Sequence, residues 1–451
     1  MDTSAHTNKK EVRADDMEVN LKKKNRDVIV VGAGMAGILT AYFLKQEGRD
    51  VLILEADRPL SGQTGRTTAK ITSQHGLKYA KLIKKLGRKR AELYAQANEA
   101  AIREYEALVR ERDIQCGFER VPAYLYSETK DEQLKQEAEA ASSLGIPAFF
   151  TTKVELPFEV AGAVCFPEQA QFDPTEFLQF ILQDLEVWEN TRVLKIRGKR
   201  VITDQMELEA EQIVVTTHYP IVNVPGFYFL RQHQERSYVL ALEGSWKLKG
   251  MYYGIDKDGL SLRRAGEFLL VGGGAHRTGE ADKSKAYEFL RQATKKYFPE
   301  GREAARWSAQ DCMPHDGVPF IGKYSIFTPH LYVASGFQKW GMTTSMVAAL
   351  LLRDLLCGRK NPYARLFSPQ RLFFRAGIAA FFKDVGMSVK GLTQGWFGKK
   401  NLRCPHMGCK LTWNLHERSW DCPCHGSRFE CDGSLLDNPA KKDKRCECDG
   451  Q

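Results

Sequence analysis

The chain has 451 residues, 43% of them hydrophobic, enough to bury a large core in two or three domains, which excludes a disordered tail protein. Its 66 lysines and arginines against 56 acids give +10, without one long basic block, so ordinary surface solubility is expected rather than nucleic-acid binding. No uninterrupted apolar run approaches the ~18 residues of a membrane span; the best, Met346 to Cys357, contains Arg353 and Asp354.

Residues 1–26 lack the apolar core of a secretory signal and read as a solvated tail, with a cytoplasmic location expected. From Asp27, DVIVVGAGMAGILTAYFLKQEG followed by DVLILEAD reads as strand, glycine turn, small-residue helix and second strand, a βαβ unit that starts a parallel sheet. Gly32, Gly34 and Gly37 serve, in turn, the tight turn, the close approach of backbone to a pyrophosphate, and helix-on-strand packing. The helix N-terminus holds the anion. Glu55 stands where a carboxylate accepts hydrogen bonds from a ribose.

Residues from about Leu77 to Arg112 have the composition of an amphipathic helical pair. The middle of the chain alternates helix-like and strand-like segments, which suggests a second sheet beside the first. LYVASGFQKWGMTTSMVAALLLRDLLCG then returns to strand, glycine turn and apolar helix. A helix starting near Gly341, Met342 and Thr343 would aim backbone N–H groups at negative charge, and Lys339 would add a full positive charge. Residues 27–370 are expected to form one nucleotide-binding unit with an interleaved α+β substrate domain, and 371–400 a linker with a short basic amphipathic helix. The apolar side of that helix, Leu372, Phe373, Ile378, Phe381 and Phe382, suits docking between domains more than membrane contact.

Which dinucleotide binds is open from the βαβ unit alone. A reductase fed by a nicotinamide would carry a second glycine fingerprint, and the candidate LLVGGGAHRTG has Arg277 in place of the third glycine. A disulfide reductase needs two neighbouring cysteines, and Cys116, Cys165, Cys312 and Cys357 are scattered.

The segment resembles the D-amino acid oxidase family of flavoproteins, which includes glycine and sarcosine oxidases. The matching pieces are GAGMAG, Glu55, SGQTGRTTAKITSQHGLKY, EQIVVTTHYP, HDGVPFIG and SGFQKWGMTT. The resemblance implies FAD, held also by Arg66, Thr67, Val193, Thr216, Thr217 and Gly336, and oxidation at an amine-bearing carbon by hydride transfer to flavin. His75, Tyr252, Tyr253, Arg263 and His276 are candidates around the flavin face, with Arg263 or a tyrosine hydroxyl suited to a carboxylate. Cys312 precedes HDGVPFIG, but its spacing does not match relatives with covalently bound flavin.

Seven of the eleven cysteines fall between Cys404 and Cys448, a clustering that points to metal or redox chemistry. Cys404 with His406 and Cys422 with His425 offer two thiolates and two imidazoles, the ligand set of a Rieske 2Fe-2S centre. Tetrahedral zinc also accepts two cysteines and two histidines, although zinc sites usually pair cysteine with cysteine. CPHMGCKLTWN and SWDCPCHGSRFECDG resemble Rieske domains, which implies a Cys409–Cys424 disulfide. Only about twenty residues of linker precede the first ligand loop, so this 401–451 all-β module lacks much of the usual base sheet and should depend on docking. Cys431, Cys446 and Cys448 receive no role.

A flavin takes two electrons from a substrate and such a cluster accepts one. The combination therefore suggests a dehydrogenase that oxidises a small amine or amino acid and sends single electrons through the cluster to an external acceptor. The alternatives are a reductase or monooxygenase with electrons entering through the module, and a module that only docks or senses redox state.

Overall fold

Strand β1 (Asn25–Val31) alternates its side chains between two cores. Val28 and Val30 join the core beneath helix α1 (Met35–Gln46), while Ile29 and Val31 join the opposite one. A strand buried on both faces must be apolar throughout, which is why this segment reads as a continuous run. It pairs in parallel with β2 (Val51–Leu54) on one side and with β4 (Glu207–Val215) on the other. β3 (Glu186–Trp188) continues in parallel beyond β2, and the β8 (Phe320–Lys323) and β9 (Leu331–Ser335) pair closes the other edge, giving the order β8-β9-β4-β1-β2-β3. Helix α2 (Gly341–Leu356) follows β9 and packs beside α1, so two helix N-termini meet at the same end of the sheet.

The expected second sheet is present with nine strands. Three long ones form its edge toward the C-terminal module: β5 (Gln232–Glu243), β6 (Phe268–Arg277) and β7 (Arg302–Pro314), with β5 hydrogen-bonded between the other two. The sequence LLVGGGAHRTG lies in β6, an antiparallel strand, so its glycines do not open a helix. The helical pair is Tyr79–Leu86 and Arg88–Glu111.

The computed structural model describes residues 25–280, 285–371, 382, 386, 388–393 and 403–444. Leu372, Phe373, Ile378, Phe381, Cys446 and Cys448 lie outside them, as do the tail before Asn25 and Lys399–Lys400 of the linker. Phe382 is exposed, and the helical residues 388–393 lean on the module: Lys410 N–H donates to Gly391 O at 3.1 Å. A side chain at Gly391 would meet Cys424 Sγ at 2.6 Å. Among the described residues no helix is long and apolar enough to cross a membrane.

The module is a four-stranded antiparallel sheet of short strands, β10 (Thr412–Asn414), β11 (Ser419–Asp421), β12 (Arg428–Phe429) and β13 (Leu435–Asp437). Its small core contains Cys404, Cys409, Leu411, Cys422, Cys424 and Phe429. The base it lacks is replaced by the flavin-side sheet. Gln234 and Gln310 donate to the carbonyls of His425 (2.8 Å) and Gly426 (3.1 Å), and Arg277 donates to those of Pro423 and Cys424 (both 3.1 Å). Fully buried Arg236 lies 3.4 Å from Asp421. Removing one member of such a buried pair leaves an uncompensated charge, so these contacts fix the seating of the module.

Candidate functional site

Two cavities open where the sheets meet. The first, about 590 Å³, lies over the ends of β1, β4 and β9 and is lined by Gly32, Gly34, Glu55, Arg66, Thr67, Val193, Thr216, Thr217, Gly336, Gly341 and Met342. Gly32 has φ +107°, a conformation side chains rarely adopt. Gly37 sits behind the wall, where a Cβ would stand 1.9 Å from Gly32 O, so helix and strand touch backbone to backbone. Glu55 accepts from the N–H groups of Ala33 (2.7 Å) and Asp57 (3.0 Å), which holds its carboxylate at the base of the glycine loop. Thr216 Oγ1 donates to Val31 O at 2.9 Å. Neither α1 nor α2 has an acidic residue in its first turn or a side-chain cap, so nothing of their own neutralises the positive ends that face the cavity. This chamber fits an elongated dinucleotide with a pyrophosphate at the α1 terminus. Thr343 does not line it: its hydroxyl is spent on Thr72 O at 2.8 Å, tying α2 to the loop below.

The second cavity, about 520 Å³, shares Arg66, Thr67, Asp311, Gln338 and Met342 with the first, so one face of a bound flavin would meet it. His75, Tyr253 and Lys339 line it; Tyr252, Arg263 and His276 do not. Tyr252 stacks on Tyr124 with ring centroids 5.1 Å apart, and Arg263 is consumed by the carbonyls of Ala69 (3.1 Å) and Phe172 (3.3 Å). His276 stacks on Tyr238. The polarity of these side chains suggested substrate contact, but strand alternation turns Tyr252 and Arg263 inward to the packing side. His75 is fixed between Tyr94 OH (2.8 Å) and Thr72 O (2.7 Å) and stacks on Trp340. Burial, with Lys78 nearby, pushes its pKa well below the ordinary value, so it is a neutral wall rather than an acid. Cys312 is buried with Sγ 3.5 Å from His218 O and lines neither cavity.

Around Lys339 the structure gathers charges that the sequence did not single out, with Asp311, Lys70 and Lys78 in the cavity lining and Glu235 outside it. Lys339 Nζ is 3.4 Å from Glu235. Burial works against ionisation of Glu235, yet His233 and Lys339 hold it down at about 2. Asp311 is pushed up to about 7 by burial and by Glu235, against the pull of Lys339. Burial lowers Lys70 and Lys78 to about 7. The available signal for Asp311 was the alternation in β7, which sets Trp307, Ala309 and Asp311 on one face; lysines 70 and 78 gave no local signal.

At the module's tip, two similar loops face each other. In each, a glycine with φ +85°, Gly408 or Gly426, donates its N–H back to the first cysteine, Cys404 O (2.8 Å) or Cys422 O (2.9 Å). The turns bring the thiols of Cys404 and Cys422 into hydrogen-bond contact and the rings of His406 and His425 to 5.0 Å at 89°. His406 Nε2 is 3.0 Å from Asn223 Oδ1; since an amide oxygen only accepts, Nε2 carries the proton and Nδ1 keeps its lone pair. That Nδ1 is buried with no hydrogen-bond partner, the arrangement expected of a metal-ligating nitrogen. Backbone N–H groups of His425, Cys424 and Gly426 converge on Cys422 and, with the bond from Cys404 and against burial, lower its thiol pKa. Two sulfurs side by side, two imidazoles side by side and surplus N–H donors fit a 2Fe-2S cluster bridging the loops. Cys409, Cys422 and Cys424 also have their sulfurs within 4.8 Å of one another. However, Cys409 and Cys424 are joined in a disulfide, which clips the loops together and removes them as thiolate ligands. Cys431 is exposed.

Comparison with known proteins agrees with both sites. The FAD dependent oxidoreductase family, DAO, matches residues 27–355, and the Rieske [2Fe-2S] domain matches 395–446. The Rieske 2Fe-2S iron-sulfur protein YhfW of Bacillus subtilis (strain 168) is 33% identical over 92% of this chain and 92% of its own. The cytochrome b6-f complex iron-sulfur subunit 3 of Nostoc is 31% identical over 22% of this chain and 54% of its own. Among solved structures, glycine oxidase from Geobacillus kaustophilus shares the fold with TM-score 0.65 at 18% identity, over 77% of this chain and 99% of that one. L-proline dehydrogenase from P. horikoshii does so with TM-score 0.64 at 16% identity, over 77% and 98%. The chain therefore belongs to the DAO family of FAD dependent oxidoreductases and carries a C-terminal Rieske domain, with FAD and a 2Fe-2S cluster as its cofactors.

Proposed function

We propose that the protein is a dehydrogenase for a small amine or amino acid, from which electrons pass one at a time to the Rieske cluster and on to an external acceptor. The observation that carries this reading is the direction in which the module is seated. Its histidine end is turned toward the flavin domain, with His406 on Asn223 and His425 edge-on to Phe229 at 5.9 Å. Gln234 joins the His425 carbonyl to that of Asn438, a residue lining the FAD chamber. A module that only docked elsewhere would have no need to bury its redox-active end here.

FAD supplies a two-electron sink for a hydride from the amine-bearing carbon, and the cluster a one-electron sink. The chain's own residues bind and orient the substrate. Arg66, Lys70 and Lys78 line the second cavity and favour a carboxylate, and Trp340 and Tyr253 form an apolar wall beside it. An ammonium must lose a proton before its carbon can release hydride, and the Asp311 carboxylate, poised at about 7, is placed to take it. Two of the structures that share the fold are named for amino-acid substrates, glycine oxidase and L-proline dehydrogenase, which supports the same substrate class.

The test is anaerobic titration of the holoenzyme with N-methyl, D- and L-amino acids, followed by visible absorption and low-temperature electron paramagnetic resonance. Flavin bleaching together with a reduced Rieske signal is expected. Bleaching without that signal removes the cluster from turnover, and reduction only by an added electron carrier reverses the direction of flow.

A further inference from the structure

The FAD chamber has one wall that the flavin domain does not supply. Leu435 to Asn438, Ala440 and Lys441, all from the cluster module, line the chamber together with the glycine loop. We propose that Asp437, Asn438 and Lys441 are part of the FAD-binding site, so that the Rieske module clasps the nucleotide as well as receiving its electrons.

Three contacts fix this segment to the rim. Asn438 Nδ2 donates to the carbonyls of Thr217 (2.6 Å) and Tyr219 (3.1 Å), directly after the end of β4. Asp437 Oδ1 accepts from Gln63 Nε2 at 2.9 Å, on the same turn as Arg66, while Oδ2 accepts from Arg428 at 2.9 Å. Lys441 Nζ donates to Leu194 O at 3.2 Å, next to Arg192 and Val193, which also line the chamber. The clasp thus touches the chamber wall at three separate elements.

Charge gives the contact a purpose. The chamber's acids are Glu55, Asp57, Asp311 and Asp437, and its cations are Arg66, Arg192 and Lys441. A pyrophosphate adds two negative charges, so losing Lys441 removes one of three cations from a site already rich in acid. Burial and the neighbouring Lys195 lower the Lys441 pKa, an unfavourable state that a nearby phosphate relieves.

The full-length chain, stripped of FAD and retitrated with it under flavin fluorescence, tests the proposal. Lys441→Met keeps the stem and removes the charge; it should weaken FAD binding about tenfold, the loss expected for one charge-assisted contact. Lys441→Glu should weaken it further. Cluster absorbance and circular dichroism should stay at parental values in Lys441→Met, separating loss of the contact from misfolding. Asn438→Ala provides a second, uncharged probe and should also weaken FAD. Parental FAD affinity, within twofold, in Lys441→Met and Asn438→Ala overturns the proposal.

Discussion

The cluster end and the substrate cavity assemble their chemistry in opposite ways. Cys404, His406, Cys422 and His425 lie in two short loops of one small sheet, each loop closed by its own glycine turn. In the cavity, Arg66, Asp311 and Lys339 come from three distant segments, a turn, a strand of the second sheet and the loop before α2, and meet only in the tertiary fold. The first site is built by local turns and the second by tertiary packing. The difference teaches which changes are lethal to a site and which merely detune it: a local loop fails as a unit, whereas a cavity loses one function at a time.

Cys404→Ser breaks the local site outright. Cluster absorbance and the paramagnetic signal should vanish and acceptor reduction should stop, while anaerobic flavin bleaching by substrate continues. Asp311→Asn should detune the cavity, lowering kcat/KM by about 10²–10⁴-fold. The sign in pH follows from its role as base: parental kcat/KM should rise as pH passes about 7, where Asp311 loses its proton, and the variant should lack that limb. Stopped-flow flavin reduction across pH 5.5–8.5, roughly the range that brackets this group, checks both.

Smaller effects sharpen the same contrast. Cys409→Ala with Cys424→Ala opens a loop with a sequence separation of 15, costing about 3 kcal/mol in the chain-entropy account. A lower denaturant midpoint for bleaching of the cluster, with flavin-domain unfolding little changed, is the expected result. Asn223→Ala removes the acceptor that fixes the His406 ring from the flavin side. Cluster retention should weaken about tenfold, and the midpoint potential should shift, while Asn223→Asp restores an acceptor and much of the retention.

The glycine loop, Glu55 and the two facing cysteine–histidine loops were legible because spacing along the chain is itself the geometry there: a strand-turn-helix or a short Cys/His loop leaves its residues little freedom. His75, Tyr252 and Arg263 illustrate where this reading ends. All three are polar residues in promising segments, yet packing assigns His75 to a neutral wall, Tyr252 to a stack on Tyr124 and Arg263 to the carbonyls of Ala69 and Phe172. Asp311 and Glu235 were passed over because their significance comes from a partner, Lys339, far along the chain.

The sequence by itself determined a glycine-loop dinucleotide site, a cysteine–histidine site, a second sheet beside the parallel one and the order of the units, since each follows from short-range periodicity and motif spacing; FAD in particular came only from the family resemblance. Only the tertiary structure decided that the shortened module rests on β5–β7, that its histidine end faces Asn223 and Phe229, and that Leu435–Asn438, Ala440 and Lys441 line the same cavity as the glycine loop. Those outcomes depend on matching two separately folded surfaces, where the balance of buried charge and hydrogen bonds, as between Arg236 and Asp421, selects one seating. No local pattern in the chain encodes that balance.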